Sequence, residues 1–285
     1  MVRTPLLIAT VIVSSFAAGQ LRNLGQLGVG TYELPEGVQH RQEAAVKSAG
    51  TTASIRQPER AGDQQGTTRS TISIAEMKAP KKARQHVEKA AEAMREQRLG
   101  EARAETEAAL AIYPAYAQAL TLRGILKMDS RQMQEALQDL QAAIASDPDF
   151  AMSYAAMGAA YNALGRYEDA ARSLQRAEGL EPRSWQAHFE MGKTELGRQN
   201  YAAALREVNR ALELALPPFP PIRLVRARIY LKQQNYEGAI PDLEEYLRAA
   251  PQDAAANDAR KTLEQVRIMI GADRTPFHAS THSQR

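Results

Sequence analysis

Two short patterns in this 285-residue chain carry residue types that do chemistry. Ala187-His188-Phe189-Glu190-Met191-Gly192-Lys193-Thr194 ends in the Gly-Lys-Thr of a relaxed phosphate loop. Such a loop needs a preceding strand and a glycine-rich turn whose free amides hold phosphate. The residues here read as helix, and helical amides are committed to their own ladder, so nucleotide binding is not expected. His278 and His282 stand four apart, the spacing of a metal pair on a helix, but they lie in a Pro- and Ser-containing tail without an adjoining carboxylate. His86 and His188 read as packing residues on separate helices. Cysteine is absent, which removes disulfides, thiol nucleophiles and cysteine-ligated metals. No G-x-S-x-G, H-E-x-x-H or EF-hand pattern occurs. The expectation is a protein that is not an enzyme, with no cofactor, metal site or small-molecule substrate.

The elements that carry these residues recur with a period of 34 from Ala83 onward. The clearest copy is Ala151 to Ser184, with Tyr154, Met157, Gly158 and Tyr161 at positions 4, 7, 8 and 11, and Ala170, Leu174, Ala177 and Pro182 at positions 20, 24, 27 and 32. The copy at 117–150 has Leu120, Gly124, Ala136, Leu140, Ala143 and Pro148 at matching places. The first copy, 83–116, matches at Ala90, Ala102, Ala109 and Pro114, the fourth, 185–219, at Met191, Gly192, Ala204, Val208 and Ala211, and the fifth, 220–253, at Ala227, Tyr230, Ala239, Leu243, Tyr246 and Pro251. Positions 4, 7, 8 and 11 share one face of a 3.6-residue helix and pack on a second helix. A small residue at position 8 lets the two backbones meet. Gly165 suits a turn of positive φ, and proline at position 32 stops the second helix.

This pattern resembles the tetratricopeptide repeat. The resemblance implies an all-α fold, an α-solenoid of helix–turn–helix units wound into a right-handed superhelix. It also implies a concave face, lined by the first helix of each copy, that binds proteins or peptides. Residues 254–271 read as a closing helix with Ala259, Leu263, Val266 and Ile270 in one stripe, followed by a disordered tail at 272–285. Charged residues at packing positions, His86, His188 and Arg223 at position 4 and Lys89, Arg123 and Arg226 at position 7, are expected to snorkel at the edge of the helix pair. The run Pro217-Pro218-Phe219-Pro220-Pro221 reads as a stiff junction, and Pro241 is expected to kink its helix.

Positions 2, 5, 9, 12 and 13 lie opposite the packing face and are the candidates for the groove. Thr121, Ile125, Met128, Asn162, Phe189, Lys193, Leu196, Leu224, Arg228, Leu231 and Lys232 are the binding residues so assigned. The family's known clamp for a terminal carboxylate is not matched, because Val87, Ala91 and Leu122 stand at its positions. The groove positions as a set carry Arg84, Arg95, Lys193, Arg228 and Lys232 against Asp129, whereas residues 83–253 hold 21 basic and 24 acidic residues, a net of −3. An acidic, partly apolar protein or peptide fits that contrast. The net charge of +3 on the whole chain arises outside the array, which argues against nucleic acid.

Residues 1–19 have one early charge, Arg3, an apolar or small run from Leu6 to Ala18, and small residues at the exit. That run is shorter than the roughly 20 residues that span a bilayer, and it matches a signal peptide with cleavage after Ala17 or Gly19. Export, periplasmic or secreted, is therefore expected. The alternative is a membrane-anchored envelope-assembly subunit held by an uncleaved N-terminus. Residues 20–82 are polar and Gly-, Gln- and Thr-rich, and read as a disordered or extended linker.

Overall fold

The computed structural model describes residues 78–216 and 218–273. The expected signal peptide, most of the expected linker, Pro217 and the tail from residue 274 lie outside the described residues. Within them the chain is all-α. The helices are α1 (Lys81–Arg95), α2 (Leu99–Ile112), α3 (Ala117–Asp129), α4 (Met133–Ser146), α5 (Ala151–Ala163), α6 (Tyr167–Leu180), α7 (Trp185–Gly197), α8 (Tyr201–Leu214), α9 (Pro221–Lys232), α10 (Tyr236–Ala249) and α11 (Ala256–Asp273).

Five antiparallel pairs, α1/α2 through α9/α10, stack in chain order and α11 closes the stack on α10. Each even-numbered helix packs on its own partner and on the first helix of the next pair. The odd-numbered helices also touch one another in sequence, so their side is the inside of the curve. The array is a helical solenoid, each pair supplying half of the core its neighbour needs.

Small residues set the spacing. Ala102, Ala136, Ala170, Ala204 and Ala239, all at position 20, are completely buried. At position 8, a Cβ on Gly124 or Gly158 would stand 2.9 Å or 2.5 Å from Leu140 Cγ or Leu174 Cγ, and one on Gly192 would press closer still on Val208 Cγ2. These contacts are closer than side-chain atoms tolerate, so each first helix lies against the side chain of its partner with no room for a methyl.

All five first helices end in the same turn. The amides of Gln97, Arg131, Gly165, Gln199 and Gln234 bond the carbonyls of Met94, Met128, Asn162, Leu196 and Leu231, and the next amide reaches back five residues in each case. This paired hydrogen-bond pattern is a Schellman motif, which needs positive φ at its turning residue. All five adopt it, at φ 58–69°, but Gly165 alone is glycine. At the other end of the pair, Asn200 and Asn235 cap α8 and α10 by accepting from Ala203 and Gly238. Helix α10 continues through Pro241, whose ring lies on the exposed side.

Candidate functional site

The inner face is far more closed than helical phase alone suggests. Thr121 is fully buried and Ile125, Met128 and Phe189 are 2% exposed. Thr121 Oγ1 donates to the carbonyl of Ala117 and lies 2.8 Å from Ser153 Oγ on the next first helix. Phe189 is covered by Phe219, whose ring meets it edge-on at 5.9 Å and also lies 5.1 Å from Trp185. These four side chains therefore pack the first helices together and offer a ligand no surface in this structure.

Asn162 and Lys193 are also engaged. Asn162 Nδ2 donates to the carbonyl of Glu190 at 3.0 Å and to its carboxylate at 3.1 Å, while Thr194 Oγ1 donates to Asn162 Oδ1 at 2.8 Å. Lys193 Nζ donates to both carboxylate oxygens of Glu190, at 2.8 and 2.9 Å, and stands 5.4 Å from the Phe189 ring centroid. Glu190 is 2% exposed, so Lys193 neutralises a buried carboxylate. By helical phase Lys193 is a groove charge; the contact with Glu190 makes it part of the fold as well.

Of the binding residues assigned by phase, those that solvent reaches lie on α7 and α9, apart from Asn162; of the other groove charges, Arg84 and Arg95 are exposed on α1. Lys193, Leu196, Leu224, Arg228 and Leu231 are half-buried and Lys232 is exposed. Arg228 has no ion-pair partner among the described residues. The packing leaves room here, since α7 and α9 touch less extensively than α3 and α5 or α5 and α7 do. The last pair and α11 also form a core cluster of their own around Leu243, Tyr246 and Leu263.

The charged packing residues do not merely snorkel. Arg123 Nε and Nη2 donate to the two oxygens of Asp139 at 2.9 and 2.8 Å. Arg226 does the same to Asp242, both at 2.7 Å. Asp139 and Asp242 are 6% and 2% exposed. Bidentate pairing fixes the first helix against the second, and the hydrogen bonds to these carboxylates hold both guanidinium groups above their ordinary values. His86 and His188 instead meet glutamates: Nδ1 lies 2.6 Å from Glu105 Oε2 in the first pair and 2.9 Å from Glu207 Oε2 in the fourth. Position 23 is thus Glu opposite His at position 4, and Asp opposite Arg at position 7.

One of these pairs has a third member. Glu178 Oε1 lies 3.5 Å from His188 Nδ1, and His188 Nε2 lies 3.2 Å from the carbonyl oxygen of Pro182. Burial pushes the Glu178 carboxyl up from its ordinary value, the neighbouring Glu207 adds to this, and His188 opposes it. The contact with Glu207 raises His188, against its burial. The signal for this cluster was present in the repeat. Position 28 reads Leu110, Ile144, Glu178, Leu212 and Leu247, so a carboxylate replaces an aliphatic residue in one copy only.

An array of small-residue-spaced helix pairs with a lined inner face and no strand among the described residues is a helical-repeat scaffold. A tetratricopeptide repeat family model matches residues 155–221 and 189–254. A thermophilic tetratricopeptide repeat protein of Thermus thermophilus superposes with a TM-score of 0.57 at 22% identity, covering 65% of this chain and 99% of that one. The pilF protein of Pseudomonas aeruginosa gives 0.52 at 19% identity, over 67% of this chain and 91% of that one. A chain of the APC/C hetero-tetramer Cut9-Hcn1 gives 0.60 at 17% identity over 68% of this chain, which spans only 38% of that chain's length. At these identities the likeness is one of fold. No curated protein matches the sequence.

The stretch 155–254 matches the tetratricopeptide repeat, and the helix pairs that precede it are built to the same plan. This fold is in general a scaffold for protein–protein interaction. No helix among the described residues is long and apolar enough to cross a membrane.

Proposed function

We propose that this chain is an exported scaffold that holds an acidic, partly apolar protein segment against the inner face of its last two repeats. One observation carries the reading. Among the assigned groove residues, those that solvent reaches lie mostly on α7 and α9, with Leu196 on α7 and Leu224, Arg228 and Leu231 on one face of α9. An extended segment laid there would place carboxylates near Arg228 and Lys232 and bury apolar side chains against the three leucines. Export rests on the 1–19 sequence pattern; in the anchored alternative, with that segment uncleaved, the polar stretch that follows would act as its tether to the array.

The test compares the wild-type chain with Arg228→Glu/Lys232→Glu, leaving Lys193 in place because Glu190 depends on it. Partners recovered from the exported fraction are quantified by mass spectrometry at low and physiological salt. Binding is expected to fall at least tenfold in the double variant, and to weaken with salt, because exposed charges are screened over about 8 Å at physiological ionic strength. Arg172→Glu/Arg176→Glu, two exposed positions on α6, is the control. Loss of the partner in the control and retention in the inner-face variant would refute the groove and assign the convex surface. The same spectra give the N-terminus: a start near Gln20 supports cleavage, and an intact mass in the membrane fraction supports the anchored envelope-assembly subunit instead.

A further inference from the structure

Glu178, His188 and Glu207 come from three helices, α6, α7 and α8, and from two successive repeats. Glu178 stands in the apolar seam between copies, at the position filled by Leu110, Ile144, Leu212 and Leu247 elsewhere in the chain. Its partner across the seam, position 4 of the following copy, is His188. Placing a carboxylate in that seam costs desolvation, so a compensating interaction is required. The pairing already present supplies only a long contact, His188 Nδ1 at 3.5 Å. In the first copy His86 is satisfied by Glu105 alone, and Glu207 fills the same role for His188. Glu178 Oε1 is buried and has no hydrogen-bond partner.

The histidine tautomer sharpens the point. His188 Nε2 faces the carbonyl oxygen of Pro182 and so must carry the hydrogen that it donates there. Doubly protonated, the ring also donates from Nδ1 to Glu207 Oε2; a neutral ring keeps its hydrogen on Nε2 and directs the Nδ1 lone pair at Glu178 Oε1 and Glu207 Oε2. Three acceptor atoms, all within 4.8 Å of one another, converge on one point. Nothing among the described residues donates a hydrogen to Glu178 Oε1 there.

The geometry points to a divalent transition-metal site, best matched by Zn²⁺, with His188 Nδ1, Glu178 Oε1 and Glu207 Oε2 as its protein ligands and solvent as the fourth. Ligand atoms arranged tetrahedrally at about 2.0–2.1 Å from zinc lie about 3.3 Å from each other. The separations of 2.9 Å and 3.5 Å from Nδ1 to the two carboxylates bracket that value. A ligating histidine ordinarily donates its other N–H to a carbonyl or carboxylate, which Pro182 provides. The nitrogen ligand disfavours Mg²⁺ and Ca²⁺, which take all-oxygen shells. Because α6 belongs to the third repeat and α7 and α8 to the fourth, a bound ion would clamp that junction, immediately ahead of the open part of the inner face.

The experiment uses the full chain with His278→Ala and His282→Ala, so that the tail pair takes no metal. After dialysis against chelator, the protein is titrated with ZnCl₂ by calorimetry, and thermal unfolding is followed with and without the ion. One Zn²⁺ per chain and a higher unfolding midpoint are expected. Glu178→Leu, which restores the side chain of the sister repeats, is expected to keep the helical circular dichroism and to lose at least tenfold in affinity. Glu178→Gln serves the same purpose with the size and polarity kept. Co²⁺ gives a second readout, as its tetrahedral visible absorption should form in the parent and disappear in His188→Ala. Absence of stoichiometric Zn²⁺ binding in the parent, or undiminished affinity in both Glu178 variants, would overturn the site.

Discussion

Adding a single methyl at position 158 tests what spaces these helices. In Gly158→Ala the new Cβ would stand 2.5 Å from Leu174 Cγ, 2.7 Å from Cδ2 and 3.1 Å from Cδ1. Carbon atoms at rest lie about 3.5–4.0 Å apart, so roughly 1 Å must be found. Leu174 is fully buried and the conflict is at its branch carbon, so rotating its methyl groups gives no relief. Either χ1 leaves its well or α5 and α6 separate. Overpacking of this kind costs about 1–3 kcal/mol, against which the better helix propensity of alanine returns about 1 kcal/mol. The expected net is a destabilisation of up to about 2 kcal/mol. Gly179→Ala makes the identical chemical change in α6 with nothing within 4 Å, and should stabilise by up to about 1 kcal/mol. Urea unfolding of the full chain, followed by circular dichroism, reads both midpoints. Adding Leu174→Ala to Gly158→Ala should cost less than the sum of the two single changes, by about 0.5–3 kcal/mol. If Gly158→Ala matched Gly179→Ala in sign, close approach at position 8 would not be what sets the helix spacing.

Two further outcomes follow from the packing. Arg226→Leu removes the bidentate partner of Asp242, whose side chain is 2% exposed, and leaves it only the longer 3.4 Å contact with Arg223; it is expected to cost about 3 kcal/mol in the same assay, while Lys89→Leu, at the equivalent but solvent-facing position, should be neutral. Gln199→Gly and Gln234→Gly, at φ 62° and 58°, should each raise stability by about 0.5–1 kcal/mol, whereas Gln233→Gly, one residue earlier at φ −86°, should lower it.

The period of 34 made the helix pairs legible, because alanine at position 20 and Gly or Ala at position 8 answer a contact made within one copy. The groove was less legible because its exposure depends on how tightly successive first helices wind. Thr121 reads as an open polar residue by phase, and only the neighbouring helix that brings Ser153 to 2.8 Å closes it. Phe189 is hidden by Phe219, a residue of the junction whose course no periodicity fixes. The positive-φ turns were visible at Gly165 alone, since the glutamines and arginine that adopt the same backbone at the other four turns carry no such mark. Arg123 with Asp139 and His188 with Glu207 could be read only by comparing two columns of the repeat at once.

Those paired columns bear on how five near-identical hairpins avoid exchanging halves while they fold. If α4 docked on α5 in place of α6, Asp139 would be buried opposite Tyr154 and Met157, with no cation from either position. If α6 docked on α3, Arg123 would face Ser173 and lose its bidentate acceptor. A buried carboxylate without its partner is unfavourable by several kcal/mol, enough to reject the exchanged hairpin. The mixture of His–Glu, Arg–Asp and uncharged pairs along the stack thus labels each helix with the neighbour it must find, in a chain whose apolar seams alone would let strangers in.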